Sequence, residues 1–324
     1  MKRLDVVVPV FNEEACLPAL IVRLDAVRAS LVGRYDLHVI FVNDGSTDRS
    51  EELLHTACDQ RPHVASIHFS RNFGHQIAVT AGLDHTSADV VAILDADLQD
   101  PPELIPAMLD RVEEGFDVVY GKRRSRRGES PFKLLTAKAF YVLIGVVTRV
   151  DIPTDTGDFW LVTRRVCVAL QQMPERHRFI RGMVPWVGFR ASPFLYDRDA
   201  RFAGETKYPL RKMFHFALEA IFSFSRVPLV VSSVLGIGMM LFAAVGTAAI
   251  AYLHFVAGEQ VPGVTLAILT SVMLGGMQLL MLGITAEYIG RIFEEVKRRP
   301  LYIVSHVENV DAKRASGVGL TSDN

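Results

Sequence analysis

Cysteine is scarce, with three residues at positions 16, 58 and 167 of a 324-residue chain. Their wide spacing and odd number exclude a disulfide framework and a cysteine-rich metal centre. Cys16, Cys58 and Cys167 read instead as buried thiols of a reducing compartment. An excess of either charge is also missing: 35 Lys plus Arg face 36 Asp plus Glu, a net charge of −1. No electrostatic ground for nucleic-acid binding exists. Charged residues make up only 22% against 50% hydrophobic, which is too apolar for disorder. Neither GxGxxG nor a phosphate-cradling Gly-rich Lys/Ser loop occurs, so dinucleotide and P-loop readings lose support. His75 and His177 stand alone, the other histidines lack ligand spacing, and a histidine metal site is not expected. Asp5 follows the start of the chain almost at once, so no signal peptide is expected.

The surplus apolarity is concentrated. Residues 227–258 are 32 positions without a formal charge, and residues 261–286 are a further 26. About 20 apolar residues span a bilayer core as a helix, so each run is long enough. The connection GEQVPG carries Gly and Pro punctuation and neither Lys nor Arg. Lys207, Arg211, Lys212 and Arg226 precede the first run, and Arg291, Lys297, Arg298 and Arg299 follow the second. The positive-inside rule then puts both termini in the cytoplasm. The resulting division is a cytosolic domain over 1–210, an amphipathic juxtamembrane segment over 211–226, spans over 227–257 and 263–288, and a cytoplasmic tail over 289–324. Segments 133–148 and 213–224 are apolar and aromatic, and read either as headgroup-boundary surface or as core. Trp160 and Trp186 read as packing residues.

The first 120 residues alternate. Apolar, β-branched runs at 4–10, 37–42, 64–69, 90–94 and 118–120 are separated by helical patterns near 13–30, 48–61, 76–85 and 103–114. That order predicts an α/β domain, a Rossmann-like, mainly parallel sheet with helices on both faces. Ligands of such sheets collect at the carboxyl ends of the strands. Those ends carry FNEE, NDGSTD, SRNFG and LDADLQD. In the last, Asp95 and Asp97 leave a buried strand two residues apart and can share a side. Their mutual repulsion calls for a cation, and hard oxygen ligands favour Mg²⁺ or Mn²⁺. Asp100, before Pro101 and Pro102, reads as a helix cap. In NDGSTD, Ser46, Thr47 or Asp48 suit turn and cap roles, which leaves Asp44 at the strand end as the ligand.

VPVFNEE, NDGSTD, SRNFG and LDADLQDPPE together resemble family 2 GT-A glycosyltransferases. TGDFWLVTR, RHRFIRGMVPWVGF, RFAGETKYPLRK and EYIGRIFEEVKRRP, with two C-terminal spans, extend the resemblance to the polyisoprenyl-phosphate branch. The resemblance implies transfer of one sugar from a nucleotide-sugar donor, leaning towards UDP-glucose, to a lipid phosphate such as undecaprenyl phosphate. It also implies a bacterial cytoplasmic membrane location and permits a homo-oligomer. Carried across by motif, Pro9, Phe11 and Glu13 match the first nucleotide loop, and Val42 and Asp44 match the second. Asp95, Ala96 and Asp97 match the donor-phosphate and metal segment, with Gln99 nearby. Arg123 matches a donor-phosphate arginine, Arg127 and Lys133 are weaker acceptor-phosphate matches, and Arg201 and Lys207 match a loop returning over the nucleotide. Asp158 matches a residue that orients or deprotonates the acceptor; capping a turn after Gly157 is its alternative. The implied catalytic set is Asp97, Asp158 and Arg123.

Two other classes fit the sequence less well. A processive polysaccharide synthase shares the GT-A domain, but QxxRW is absent and two spans are few for a channel. A non-catalytic membrane scaffold leaves the charged clusters at strand ends unexplained. A fragment ending near residue 224 is expected to keep the catalytic core.

Overall fold

The computed structural model describes residues 1–124, 156–173, 175–197, 227–256 and 263–310. The chain forms two compact units, Met1–Met213 with Pro300–Asn324, and Phe214–Arg299.

In the first unit the alternation follows the sequence pattern closely. Strand β1 (Lys2–Val10) is buried from Leu4 onward, as a valine-rich strand inside a parallel sheet must be. Helix α1 (Leu17–Ser30) opens with Pro18 in its first turn, where no intrahelical N–H is needed. There follow β2 (Tyr35–Asn43), α2 (Ser50–Gln60), β3 (Val64–Phe69), α3 (His75–Asp84) and β4 (Val90–Ile93). A 3-10 turn at Pro102–Leu104 leads into α4 (Ile105–Glu113), and β5 (Val118–Arg123) comes next. Beyond the alternation lie β6 (Thr156–Thr163), α5 (Arg164–Gln172), α6 (Ile180–Trp186), β7 (Ala191–Tyr196) and β8 (Val304–Glu308).

Among the described residues the sheet has eight strands in the order β7-β5-β6-β4-β1-β2-β3-β8. Strand β1 pairs in parallel with β2 and β4, β2 with β3, and β5 with β7. Strand β6 runs antiparallel between β4 and β5, and β8 antiparallel on β3. One face of β1 and β2 (Leu4, Val6, Val8, Leu37, Val39, Phe41) joins α1, α2 and α4 in the larger core. On the other face Ile40, Val42 and Ile67 pack with Ala78 and Ala81 of α3. Helix α3 approaches so closely that a Cβ on Gly82 would lie 2.2 Å from Val7 Cγ1. Cys16, Cys58 and Cys167 are all free and buried.

Two expectations need correction. The segment after the apolar hairpin is more than a tail: β8 completes one edge of the sheet, and Tyr302 and Val304 enter the α3-side core. A fragment ending near residue 224 therefore lacks a strand. Trp160 is buried at 1% exposure and donates its indole N–H to the Gly157 carbonyl at 2.9 Å, but Trp186 is 60% exposed. It ends a seven-residue helix with Pro185 inside it.

The second unit contains α7 (Val227–Phe255) and α8 (Gly263–Lys297). Val227–Ile250 and Thr270–Lys297 are apolar throughout most of their length and almost wholly unburied. Both helices are long and apolar enough to cross a membrane, and Leu241, Phe242, Leu279 and Leu282 stand more than half exposed. Helix α8 runs past residue 288, carried by a Glu287–Arg291 pair at 3.1 Å across one turn.

Candidate active site

The loops after β1 and β2 are stitched together. Asn12, at φ 56°, donates its N–H to Ser46 Oγ at 3.0 Å, and its Oδ1 accepts the Thr47 N–H at 2.8 Å. The N–H of Glu13 donates to Ser50 Oγ and that of Glu14 to Asp48 Oδ2, at 3.0 and 3.1 Å. Within NDGSTD, Asn43 Oδ1 accepts the Ser46 N–H and Asp48 Oδ1 accepts the Ser50 N–H, both at 3.0 Å. Gly45 is obligatory: φ is +66° and a Cβ would sit 2.5 Å from the Arg71 carbonyl carbon. Asp44 is 2% exposed and accepts the Phe73 N–H at 2.6 Å and the Gly74 N–H at 2.9 Å. Burial raises its pKa, although both amide bonds oppose the shift. Its carboxylate thus fixes the start of α3 as well as walling the site.

Pro9, Phe11, Glu13, Asp44, Asp95, Ala96 and Asp97 line one cavity of about 430 Å³, joined by Val10, Asn72, Gly74, His75 and Ala78. The side chain of Val42 does not reach it. Strand alternation turns Val42 into the core under α3, where it is fully buried. Gln99 lies outside the lining and donates its N–H to Asp97 Oδ1 at 3.1 Å, closing a turn through Leu98. Leu98 has φ 60° and is buried, a strained backbone held in place by packing. Asp100 does not cap a helix, since neither the 3-10 turn nor α4 has a side-chain cap. It is buried and accepts the Tyr196 hydroxyl instead, tying this loop to β7. Arg123 ends β5 opposite Tyr196, and its side chain lies outside the described residues. So do Arg127, Lys133, Arg201, Lys207 and segments 133–148 and 213–224.

The antiparallel course of β6 supplies the rest. Ile93 of β4 pairs with Trp160, and continuing that register sets Asp158 opposite Asp95. His75, first residue of α3, places Nε2 3.1 Å from Asp158 Oδ2 and 3.6 Å from Asp95 Oδ1. Arg181 clamps Asp158 with Nε on Oδ1 at 2.5 Å and Nη2 on Oδ2 at 2.7 Å. Gln76 holds α6 in place for this, since its Oε1 accepts the Ile180 N–H at 2.9 Å. Burial would raise the Asp158 pKa, but the Arg181 charge and the hydrogen bonds from His75 and Arg181 prevail and hold it well below the carboxylate range. Burial opposes the charged form of His75, yet its bond to Asp158 and the nearby carboxylates raise its pKa overall.

Asp95 is the opposite case. Burial and the like charge of Asp158 push it up to about 7. Its Oδ1 is buried and accepts no hydrogen bond. An orphaned carboxylate oxygen beside a second carboxylate fits a divalent cation. The sequence reading missed His75 and Arg181. A histidine directly after SRNFG, at a strand's carboxyl end, was an available signal for the first. Nothing local marks Arg181, because only the antiparallel β6 brings Asp158 to it.

The profile of glycosyl transferase family 2 matches residues 5–170. An uncharacterized glycosyltransferase, YkcC, of Bacillus subtilis (strain 168) is 45% identical over 312 residues, covering 96% of this chain and 95% of its own. The SfII prophage-derived bactoprenol glucosyl transferase of Shigella flexneri is 37% identical over 302 residues, 93% of this chain and 97% of that one. Among solved structures, glucosyl-3-phosphoglycerate synthase from Mycobacterium tuberculosis matches with TM-score 0.46 and 19% identity over 69% of this chain and 79% of that chain. With the profile spanning just over half the chain and such relatives spanning nearly all of it, the chain belongs to glycosyl transferase family 2.

Proposed function

We propose that the protein transfers one sugar from a nucleotide sugar, UDP-glucose, to a polyisoprenyl phosphate of the undecaprenyl type at the cytoplasmic membrane face. The observation that carries this reading is the gathering of Asp95, Asp97, Asp158, His75 and Arg181 at the strand ends of a family 2 domain whose chain continues into two apolar helices. Full-length similarity to proteins named bactoprenol glucosyl transferases supports the acceptor class. The lack of Lys and Arg between the spans supports the cytoplasmic orientation.

The stitched loops, with Pro9, Phe11, Glu13 and Asp44, form the seat for the nucleotide. Asp95 and Asp97 would hold Mg²⁺ or Mn²⁺, which when bound offsets the charge of the leaving diphosphate. Arg123, Arg201 and Lys207 are proposed to add positive charge around the phosphates. The acceptor phosphate oxygen forms a bond to the anomeric carbon as the bond to the donor's β-phosphate breaks, and the configuration inverts. Phosphomonoesters have a second pKa near 6, so the nucleophile is already largely dianionic at neutral pH. A strong base is unnecessary, and Asp158 is a weak one because Arg181 and His75 stabilise its charge. Its role in this reading is positioning: it fixes Arg181 and His75 at the mouth where two phosphorylated substrates meet.

Incubating the full chain with undecaprenyl phosphate and a panel of nucleotide sugars, followed by mass spectrometry of the lipid, tests this. UDP-glucose is expected to give a single hexosyl-phosphate lipid of inverted configuration. Exclusive use of an N-acetylhexosamine or aminosugar donor would overturn the sugar assignment, and a polymer would overturn single transfer.

A further inference from the structure

A row of polar side chains crosses β2, β3 and β8 and has no part in the proposed reaction. Register places it: Asn43 pairs with His68 between β2 and β3, and Ser66 with Glu308 between β3 and β8. Ser66 and His68 are two residues apart on one strand and so share a face. Asn43, Ser66 and His68 are each 1% exposed or less, so their hydrogen bonds have to close within the protein.

The proton positions follow by elimination. Asn43 Oδ1 accepts the Ser46 N–H at 3.0 Å, which turns Nδ2 towards His68 Nδ1 at 3.1 Å and Glu51 Oε2 at 3.5 Å. The reverse amide orientation would set two donors together at Ser46 and two acceptors together at Glu51. His68 Nδ1 must therefore accept. Burial, with the neighbouring His306, holds the His68 pKa below its ordinary value, so the ring is neutral and its one N–H sits on Nε2. That N–H donates to Ser66 Oγ at 2.8 Å. The Ser66 hydroxyl is left to donate to Glu308 Oε2 at 3.2 Å. Burial opposes the charge of Glu308, but the hydrogen bond from His55 Nδ1 at 2.9 Å and the nearby histidines prevail and lower its pKa. An acceptor-only carboxylate at one end thus sets the direction of every bond in the row.

We propose that His68, held as its Nε2–H tautomer by Ser66 and Glu308, is a positioning residue for the donor nucleotide. Its Nδ1 fixes the Asn43 amide, and Asn43 fixes the Ser46 N–H. Between them the turn presents Asp44, whose carboxylate accepts the Phe73 and Gly74 amides and lines the cavity. The proposal rests on the reading of NDGSTD as part of the nucleotide seat. It makes β8, outside the cavity lining, a contributor to donor binding. Without Glu308 the Ser66 hydroxyl can turn to donate to Nε2. The ring proton then moves to Nδ1, and two N–H groups face each other at Asn43.

The test compares isosteric variants of the full chain in detergent, by calorimetric titration with UDP and Mn²⁺. An asparagine side chain carries its amide at the place of Nδ1, and a glutamine carries it at the place of Nε2. His68→Asn keeps an acceptor for Asn43 and is expected to hold UDP affinity within about 3-fold of the parent. His68→Gln keeps only the partner of Ser66 and is expected to weaken UDP binding by about 10-fold. A space-filling role would favour His68→Gln, because glutamine is the closer to histidine in volume. Glu308→Ala, at a side chain 20% exposed on an edge strand, serves if the His68 variants unfold. It is expected to weaken UDP binding and to shift the His68 ring proton to Nδ1 in ¹⁵N spectra of labelled histidine, assigned by the signal that His68→Asn removes. UDP affinity equal in the two His68 variants or higher in His68→Gln, or an Nδ1–H tautomer in the parent chain, would overturn the proposal while leaving the nucleotide seat in place. Absence of UDP binding by the parent chain would overturn the seat, and this proposal with it.

Discussion

Arg181→Ala removes both guanidinium contacts from Asp158, a carboxylate whose side chain is only 9% exposed. Breaking a fully buried ion pair costs about 3–5 kcal/mol, because the remaining charge loses its partner. Arg181 is 29% exposed, so water replaces part of what it supplied, and the expected loss is about 2–3 kcal/mol. Arg181→Lys keeps the charge but loses the fork, and should fall between. The assay is chemical unfolding of the full chain in detergent, with Asp158→Asn and the double variant completing a cycle. A coupling energy of about 2 kcal/mol is expected. The pH dependence has a fixed sign. Asp158 is depressed in the folded state, so its contribution is complete above the ordinary carboxylate pKa and disappears as pH falls through the folded value. The gap between the parent and Arg181→Ala should therefore narrow on acidification. A coupling energy near zero, or a gap that widens in acid, would refute the view that Arg181 is what keeps Asp158 ionised.

Gly82→Ala places a methyl group 2.2 Å from Val7 Cγ1 and should destabilise the first unit by about 1–3 kcal/mol through overpacking, read from its unfolding midpoint. Asp44→Asn leaves the Phe73 and Gly74 amides without a charged acceptor, and should weaken donor binding at a cost of about 1–3 kcal/mol, measured by calorimetric titration with UDP and Mn²⁺.

The parallel half of the fold was legible because its determinants are local. β-branched runs between amphipathic segments fix β1 to β5, and polar clusters at their carboxyl ends point to the cavity. Gly45 and the side-chain bonds of Asn43 and Asp48 in NDGSTD behave as turn chemistry requires, although α2 itself has no side-chain cap. What escaped depends on long-range pairing. TGDFWLVT has no alternation to mark it as an interior strand, yet its antiparallel register carries Asp158 to Asp95. VSHVE is a short edge strand more than 230 residues from its partner β3, and no local pattern foretells that docking. Arg181 enters the site through the β6 pairing, whereas His75, at the start of α3, was within reach of a local reading. Asp100 shows the converse error: a sequence context suited to a cap is overruled by a hydroxyl arriving from β7.

Sugar transfer to a lipid phosphate by the acidic cavity is the proposal on which the rest depends. Its most direct measurement is the mass of undecaprenyl phosphate after incubation with UDP-glucose, Mn²⁺ and either the full chain or its Asp97→Asn variant. A gain of one hexose per lipid is expected with the parent chain and none with the variant, with both proteins still inserted in the membrane. Equal hexose gain by the variant would contradict the assignment of the chemistry to this cavity, and an unchanged lipid mass with the parent chain would contradict the activity itself.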